Sequence, residues 1–111
     1  MICSKEIVTK IKVSDICGTH TLTRADGKLL NNLIVGHWAK SNVIEIDFSN
    51  AIVASVSFLD EAIGQLIARF SRKDISAKLK LIRISKFDKK LLNDIVSARS
   101  RQALTDRKSR K

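Results

Sequence analysis

Three short segments rich in β-branched residues are separated by longer stretches with helical periodicity, and this alternation is the feature that most constrains the fold. Apolar residues between Ile7 and Val13 alternate with their neighbours at period two, as in a half-buried strand. Two further segments, 43–48 and 79–84, are also predicted strands. Strands separated by helices predict right-handed βαβ crossovers and a sheet with some parallel pairing. An α+β arrangement with an antiparallel N-terminal hairpin at one edge is compatible with the same pattern.

The intervening segments predict three amphipathic helices. Asp26 is placed to cap the first, whose apolar residues recur up to Trp38. The second runs from Leu59 to Phe70, and the third opens at Asp88. With residues 19–23 as a further short strand, we predict a small layered α/β domain with a mixed sheet of about four strands and about three helices.

The chain has 111 residues and no proline, repeat or low-complexity stretch that would mark an internal linker. This length suits one domain with a single core. We place the domain at residues 1–100, followed by a basic, mobile tail at residues 101–111 in which only Ala103 and Leu104 are apolar.

Positive charge is concentrated in the last two-fifths of the chain. Residues 1–68 carry six Lys and Arg against seven Asp and Glu, whereas residues 69–111 carry fifteen against four. Such asymmetry is typical of a face or tail that attracts an acidic partner, either nucleic acid or an acidic protein surface. A solvated helix face followed by a frayed terminus explains the same counts.

No apolar run approaches the ~18–20 residues of a membrane span, and the charged N-terminal segment is unlike a signal peptide. We therefore expect a cytoplasmic protein with reduced thiols. Cys3, Cys17, His20 and His37 match no standard zinc spacing, and no nucleotide-binding or nucleophile motif is present. We expect neither a metal nor a cofactor, and no enzymatic activity.

The junction between the second predicted strand and the second predicted helix is the most informative segment. Ser57 followed by Asp60 is similar to a capping box, which would make Ser57 a helix cap. The alternative is that Ser55 or Ser57 is phosphorylated or meets a ligand phosphate, since a helix N-terminus offers free backbone N–H groups. A further alternative is a metal-binding carboxylate cluster of Asp47, Asp60 and Glu61.

The same segment resembles the STAS-like domain family, relatives of the STAS (sulphate transporter and anti-sigma-factor antagonist) domains of bacterial and phage-associated proteins. In that family a strand ends in Asp-Phe, and Ser-x-Ser-Phe-x-Asp-Glu opens a helix. The corresponding residues here are Asp47-Phe48 and Ser55 to Glu61. Upstream, Gly18, Arg24, Asp26 and Gly27 resemble the family's Gly…Thr-Arg-x-x-Gly segment, and Arg99 resembles its late arginine. The resemblance covers roughly residues 5–100.

The resemblance implies a regulatory module. In STAS proteins a serine at this junction is phosphorylated by a partner with an ATPase-type kinase fold, and the phosphate controls which partner is bound. We therefore predict a non-enzymatic protein-interaction domain. Its candidate binding or phosphorylation residues are Asp47, Ser55, Ser57, Phe58, Asp60 and Glu61.

The competing hypothesis is a nucleic-acid-associated protein that binds through the basic C-terminal third. The predicted basic patch comprises Arg99, Arg101, Arg107, Lys108, Arg110 and Lys111. Trp38 and the phenylalanines lie mostly at predicted core positions, and the chain has no tyrosine, so aromatic rings for stacking on bases are few.

Overall fold

The computed structural model describes residues 7–53 and 56–109, with side chains as far as Arg101. Three strands and five α-helices alternate along this part of the chain, with one 3₁₀ helix, Gly64–Ala68. In chain order the other elements are β1 (Val8–Lys12), α1 (Val13–Cys17), α2 (Arg24–Trp38), β2 (Val43–Asp47), α3 (Val56–Ala62), α4 (Arg72–Lys78), β3 (Leu79–Ile82) and α5 (Lys86–Ser109).

The described strands form a sheet in the order β1-β2-β3 with entirely parallel pairing. The α/β class is therefore confirmed, but the expected four-stranded mixed sheet is wrong. Residues 19–23 contribute only an isolated bridge between Thr21 and Ile52. The segment does not extend as a strand because Thr23 already caps α2.

A capping box at Thr23 opens α2, not a cap at Asp26. Asp26 N–H donates to Thr23 Oγ1 (3.3 Å), and Thr23 N–H donates to Asp26 Oδ2 (2.9 Å). Asp26 is thus the third residue of the helix, where its charge also favours the positive helix end.

The second predicted helix, from Leu59 to Phe70, is divided into two pieces, and a further helix that the sequence pattern does not predict comes after it. The first piece ends at Ala62 and continues as the 3₁₀ helix, which is followed by α4, whose cap Ser71 accepts a hydrogen bond from Asp74 N–H (3.1 Å). At the first break stands Gly64, where an added Cβ would lie 2.7 Å from Asp60 Oδ1 and 3.1 Å from Arg99 Nε. A glycine weakens a continuous helix by about 1 kcal/mol relative to alanine, and here it allows close packing against α5.

The strand before α5 is shorter than expected and the helix is longer. β3 ends at Ile82 because Arg83 adopts a left-handed conformation (φ 55°). Ser85 Oγ then accepts from Asp88 N–H (3.0 Å), and α5 begins at Lys86, before the predicted start at Asp88. The helix continues to Ser109, across the predicted tail boundary at residue 101.

One face of the sheet packs against the helices and carries the core. Ile11 of β1, Ile44 and Ile46 of β2 and Leu79 of β3 are buried there. The alternate residues Lys10, Glu45 and Lys80 lie in one register row on the opposite face. No helix among the described residues has the length and apolar character needed to cross a membrane.

Candidate functional site

The connections that follow the three strands meet at the carboxyl edge of the sheet. Leu22 N–H donates to the Ile52 carbonyl (3.1 Å), which joins the β1–α2 and β2–α3 connections. Phe48 N–H donates to the Ile82 carbonyl (3.0 Å), and Arg83 Nη1 pairs with Asp47 Oδ2 (2.9 Å). The edge is therefore one continuous surface, at the position where open α/β sheets place their binding sites.

Asp47 organises the turn at the end of β2. Its Oδ1 accepts from Ser49 N–H (2.8 Å), and Asn50 follows in a left-handed conformation (φ 62°). The Ser49 backbone N–H is the largest cause of a lowered Asp47 pKa, and the charges of Arg83 and Lys12 act in the same direction. The carboxylate thus holds the turn and links it to the start of the β3–α5 connection.

Ser57 lies in the first turn of α3 and is not its cap, so the predicted capping box with Asp60 is wrong. The helix begins at Val56, and the preceding residue, Ser55, lies outside the described residues. Ser57 Oγ instead accepts from Arg24 Nη2 (3.3 Å). Arg24 also donates from Nη1 to Glu61 Oε1 (2.9 Å), so one guanidinium bridges the first and second turns of α3.

Asp60 is held by Arg99 rather than by a helix end. Arg99 Nε and Nη2 donate to its two carboxylate oxygens at 2.6 Å each. The side chains of Asp60 and Arg99 are only 22% and 30% exposed, respectively. The Arg99 hydrogen bonds are the main reason that the Asp60 pKa is lowered, while the same contact raises the Arg99 pKa. Arg99 therefore fastens α5 to α3 and is not part of an open basic patch.

The two segments that carry the family resemblance pack directly together. A Cβ added at Gly27 would lie 2.6 Å from the Phe58 carbonyl oxygen and 3.0 Å from Glu61 Cβ. Only glycine permits this approach of α2 to α3 without a shift of backbone. Asn31 Nδ2 donates to the Ala62 carbonyl (3.1 Å) further along the same contact.

Two phenylalanines lie where the sequence pattern does not predict them. Phe58, a predicted binding residue, is fully buried in the core, so its side chain cannot reach a partner. Phe87 is 75% exposed at the start of α5, although most phenylalanines are predicted to lie in the core. Phe87 precedes the predicted helix start at Asp88, so the amphipathic periodicity does not predict whether Phe87 is exposed.

Three large apolar side chains in or beside the connections at the carboxyl edge are at least half exposed: Ile52 (50%), Val56 (52%) and Phe87 (75%). Sequence reasoning missed all three. Their signal is that they are apolar residues outside the predicted core periodicity. We name the edge formed by the following residues the junction surface: Arg24, Asp47, Ile52, Val56, Ser57, Glu61 and Phe87.

The metal alternatives find no support in the geometry. Asp47, Asp60 and Glu61 pair with three different arginines. Cys17 is buried and donates to the Asp26 carbonyl (3.6 Å), and burial raises its pKa. Across the ranges 7–53 and 56–109, no group of three potential ligands is placed to hold a metal. Cys3 lies outside those ranges.

Most of the predicted C-terminal basic patch lies outside the part of the chain whose side chains the structure describes. Arg101 is exposed on α5. Arg107 and Lys108 belong to the helix, but their side chains are not described, and Arg110 and Lys111 lie outside the described residues. In the C-terminal two-fifths of the chain, the other exposed cations lie on α4, β3 and the first half of α5, with Arg69 after the 3₁₀ helix and Arg83 after β3.

A family model described as a STAS-like domain of unknown function (DUF4325) matches residues 26–89. This range is more than half of the chain, so the protein belongs to that family. It includes Gly27, the β2–α3 connection and the paired residues of α3. Neither the curated proteins nor the solved structures yield a match.

Proposed function

We propose that this protein is a non-enzymatic regulatory module that binds a protein partner through the junction surface. The observation that carries the proposal is the set of three exposed apolar side chains, Ile52, Val56 and Phe87, on the edge that also holds the Arg24–Ser57–Glu61 contact. Large apolar side chains beside polar groups are typical of protein-binding surfaces. STAS-like membership supports the same function.

A partner with an ATPase-type kinase fold is the form of partner that the family resemblance favours. In this proposal the partner transfers a phosphate from ATP to the hydroxyl of a junction serine. The phosphorylated protein then binds its partners with a different affinity. The kinase-type partner is part of the proposal on that resemblance alone.

The geometry favours Ser57 as the phosphate acceptor. A phosphate on its Oγ would lie within reach of Arg24, whose guanidinium is already 3.3 Å away. Arginine binds phosphate through strong, charge-assisted hydrogen bonds. Because Arg24 also holds Glu61, the phosphate would compete for the same guanidinium and release the Glu61 carboxylate. Asp60 opposes a nearby phosphate less strongly because Arg99 compensates its charge.

Affinity capture from the native host tests the interaction. Immobilised wild-type protein is compared with the double variant Val56→Glu, Phe87→Glu and with Lys28→Glu, an exposed α2 control outside the junction surface. We expect a protein retained by the wild type and the control to be lost with the double variant. Equal retention by all three would show that the junction surface is not the binding site.

The phosphorylation step is tested separately, by incubating the protein with the captured partner and ATP and mapping the product by mass spectrometry. We expect phosphate on Ser57, none on Ser57→Ala, and altered partner retention after transfer. If neither Ser57 nor Ser55 carried phosphate, the phosphorylation switch would be excluded. The binding proposal would then be judged by the affinity capture alone.

A further inference from the structure

The charge asymmetry of the sequence becomes a spatial asymmetry in the fold. Among the described strands, β3 lies at one edge of the sheet and pairs with β2 alone, and α4 and α5 flank it in the chain. Residues 69–101 contain eleven Lys and Arg against three Asp. The positive charge therefore accumulates at the β3 end of the sheet, away from β1.

Several of these cations have no counter-ion within the described part of the chain. Arg83 and Arg99 are paired with carboxylates, and Lys78 Nζ donates to the Trp38 carbonyl (2.6 Å). Five cations of α4, β3 and the first turn of α5 belong to none of the described ion pairs, and we name these the basic edge: Arg72, Lys73, Lys80, Lys86 and Lys89.

A cleft of about 160 Å³ opens within the same region, between α4, β3 and α5. Its floor is aliphatic and includes the buried side chains of Ile75, Leu79 and Leu92. Exposed Arg72 and Ser76 of α4 line it as well, and Lys73 and Lys89 are each within one helical turn of a lining residue. An apolar cleft is thus bordered by uncompensated positive charge.

We propose that this cleft is a second binding site, for an acidic peptide segment of a partner protein that inserts one large apolar side chain. A cavity of roughly 150 Å³ lined by aliphatic residues accommodates a benzene molecule, so a cleft of 160 Å³ suits one phenylalanine or leucine side chain. Acidic residues on either side of that anchor would face Arg72, Lys73 and Lys89. The positive charge selects an acidic peptide, and insertion of its apolar side chain into the cleft sets the position of the peptide along the site.

The lining favours a peptide over nucleic acid. Binding of single-stranded nucleic acid usually relies on aromatic rings on which the bases stack, and the cleft is lined by aliphatic and polar side chains. The site uses α4, β3 and α5 and shares no residue with the junction surface. It therefore stands or fails independently of the proposed function.

Titration of the ¹⁵N-labelled full chain with defined peptides tests the proposal by NMR. The probe is a heptapeptide with phenylalanine between two runs of three glutamates, and the matched control has alanine at its centre. We expect the phenylalanine peptide to bind at least ~10-fold more tightly, as one buried large apolar side chain allows. The shifted amide signals should map to α4, β3 and the first half of α5.

Three variants separate the cleft from general charge attraction. Arg72→Glu and Ser76→Phe, which reverse a charge and fill the cleft, should each weaken binding of the phenylalanine peptide at least ~10-fold. Lys28→Glu changes the net charge as much as Arg72→Glu does and should leave binding within about twofold.

Equal affinity for the phenylalanine and alanine peptides would overturn the proposal, as would shifts that map outside α4, β3 and α5. A single-stranded oligonucleotide of equal charge that binds more tightly than the peptide, and is unaffected by Ser76→Phe, would show that the basic edge binds phosphates instead. Absence of binding by the phenylalanine peptide at millimolar concentration would also exclude the site.

Discussion

At the residue scale, Gly27 is the position with the least freedom to change. Its missing side chain lets α2 approach the Phe58 carbonyl oxygen, which an added Cβ would meet at 2.6 Å. Such overpacking costs about 1–3 kcal/mol when backbone has to move. We therefore expect Gly27→Ala to lower the free energy of unfolding by that amount, measured by urea denaturation.

Gly36 provides the matched control on the same helix. A Cβ there has open space around it, and alanine is favoured over glycine in a helix interior by about 0.5–1 kcal/mol. Gly36→Ala should therefore stabilise the protein. If both variants were equally stable, the close packing of α2 on α3 would be incorrect.

The Asp60–Arg99 pair should make stability depend on pH. The lowered Asp60 pKa means that the pair contributes stability above the unfolded carboxyl pKa of about 4, and that this contribution is lost as pH falls through the folded pKa. Asp60→Asn should cost about 1–3 kcal/mol at pH 7, the range for hydrogen bonds to charged groups. The difference from wild type should shrink below about pH 4.

Asp94→Asn is the control, because Asp94 is exposed on α5 and belongs to none of the described ion pairs. Its substitution should change the unfolding free energy by less than about 0.5 kcal/mol at pH 7. A loss on Asp60→Asn that is the same at pH 3 and pH 7 would contradict the ion-paired account of Asp60.

The sequence predicted which residues come together at this edge better than it predicted their contacts. The resemblance singled out Arg24, Gly27 and Ser57, which the fold brings into one contact. The cap predicted at Ser57 is wrong because α3 already begins at Val56, and local spacing does not reveal that a guanidinium from α2 donates to the Ser57 hydroxyl. Neither the burial of Phe58 nor the exposure of Phe87 was predictable, because both depend on helix boundaries that periodicity fixes only to within a few residues.

At the element scale, periodicity located the three strands and the longest helices. It could not locate the breaks after α3, since the apolar residues from Leu59 to Phe70 keep helical spacing through the 3₁₀ turn. Tertiary contacts decide that region: Gly64 packs against the Asp60–Arg99 pair, and Phe70 stacks on Trp38 with ring centroids 4.0 Å apart. The Ser71–Asp74 spacing was the available local signal for α4.

The contacts that α5 makes with the rest of the domain predict how much of this helix is needed for stability. Leu92 and Ile95 are buried against the domain, and Arg99 forms the ion pair with Asp60. A chain truncated after Arg101 retains all three contacts and should melt within a few degrees of the full-length protein. Truncation after Ser97 removes Arg99 and should lower the melting temperature clearly more. A large drop for the chain that ends at Arg101 would show that residues 102–111 dock on the domain.

At the scale of the whole molecule, the separation of charge predicts electrostatic steering. Neutralising Arg107, Lys108, Arg110 and Lys111 with glutamine should slow association with the captured partner at low salt and weaken the salt dependence, because attraction over more than about 8 Å is largely screened at physiological ionic strength but persists at low salt. Stopped-flow or surface-binding kinetics at two salt concentrations would measure this. A change confined to the dissociation rate would show that the tail is instead a contact surface.

The location of the partner is the central claim, and site-specific photo-cross-linking in the native host tests it most directly. A photoreactive phenylalanine analogue replaces Phe87 on the junction surface or, as control, Lys28 on the exposed side of α2. We predict that one defined protein, identified by mass spectrometry, is cross-linked at position 87 but not at 28. We also predict that this product disappears when Val56→Glu is added. Cross-linking of the same proteins at both positions, or a product at 87 that Val56→Glu leaves unchanged, would contradict binding at the junction surface.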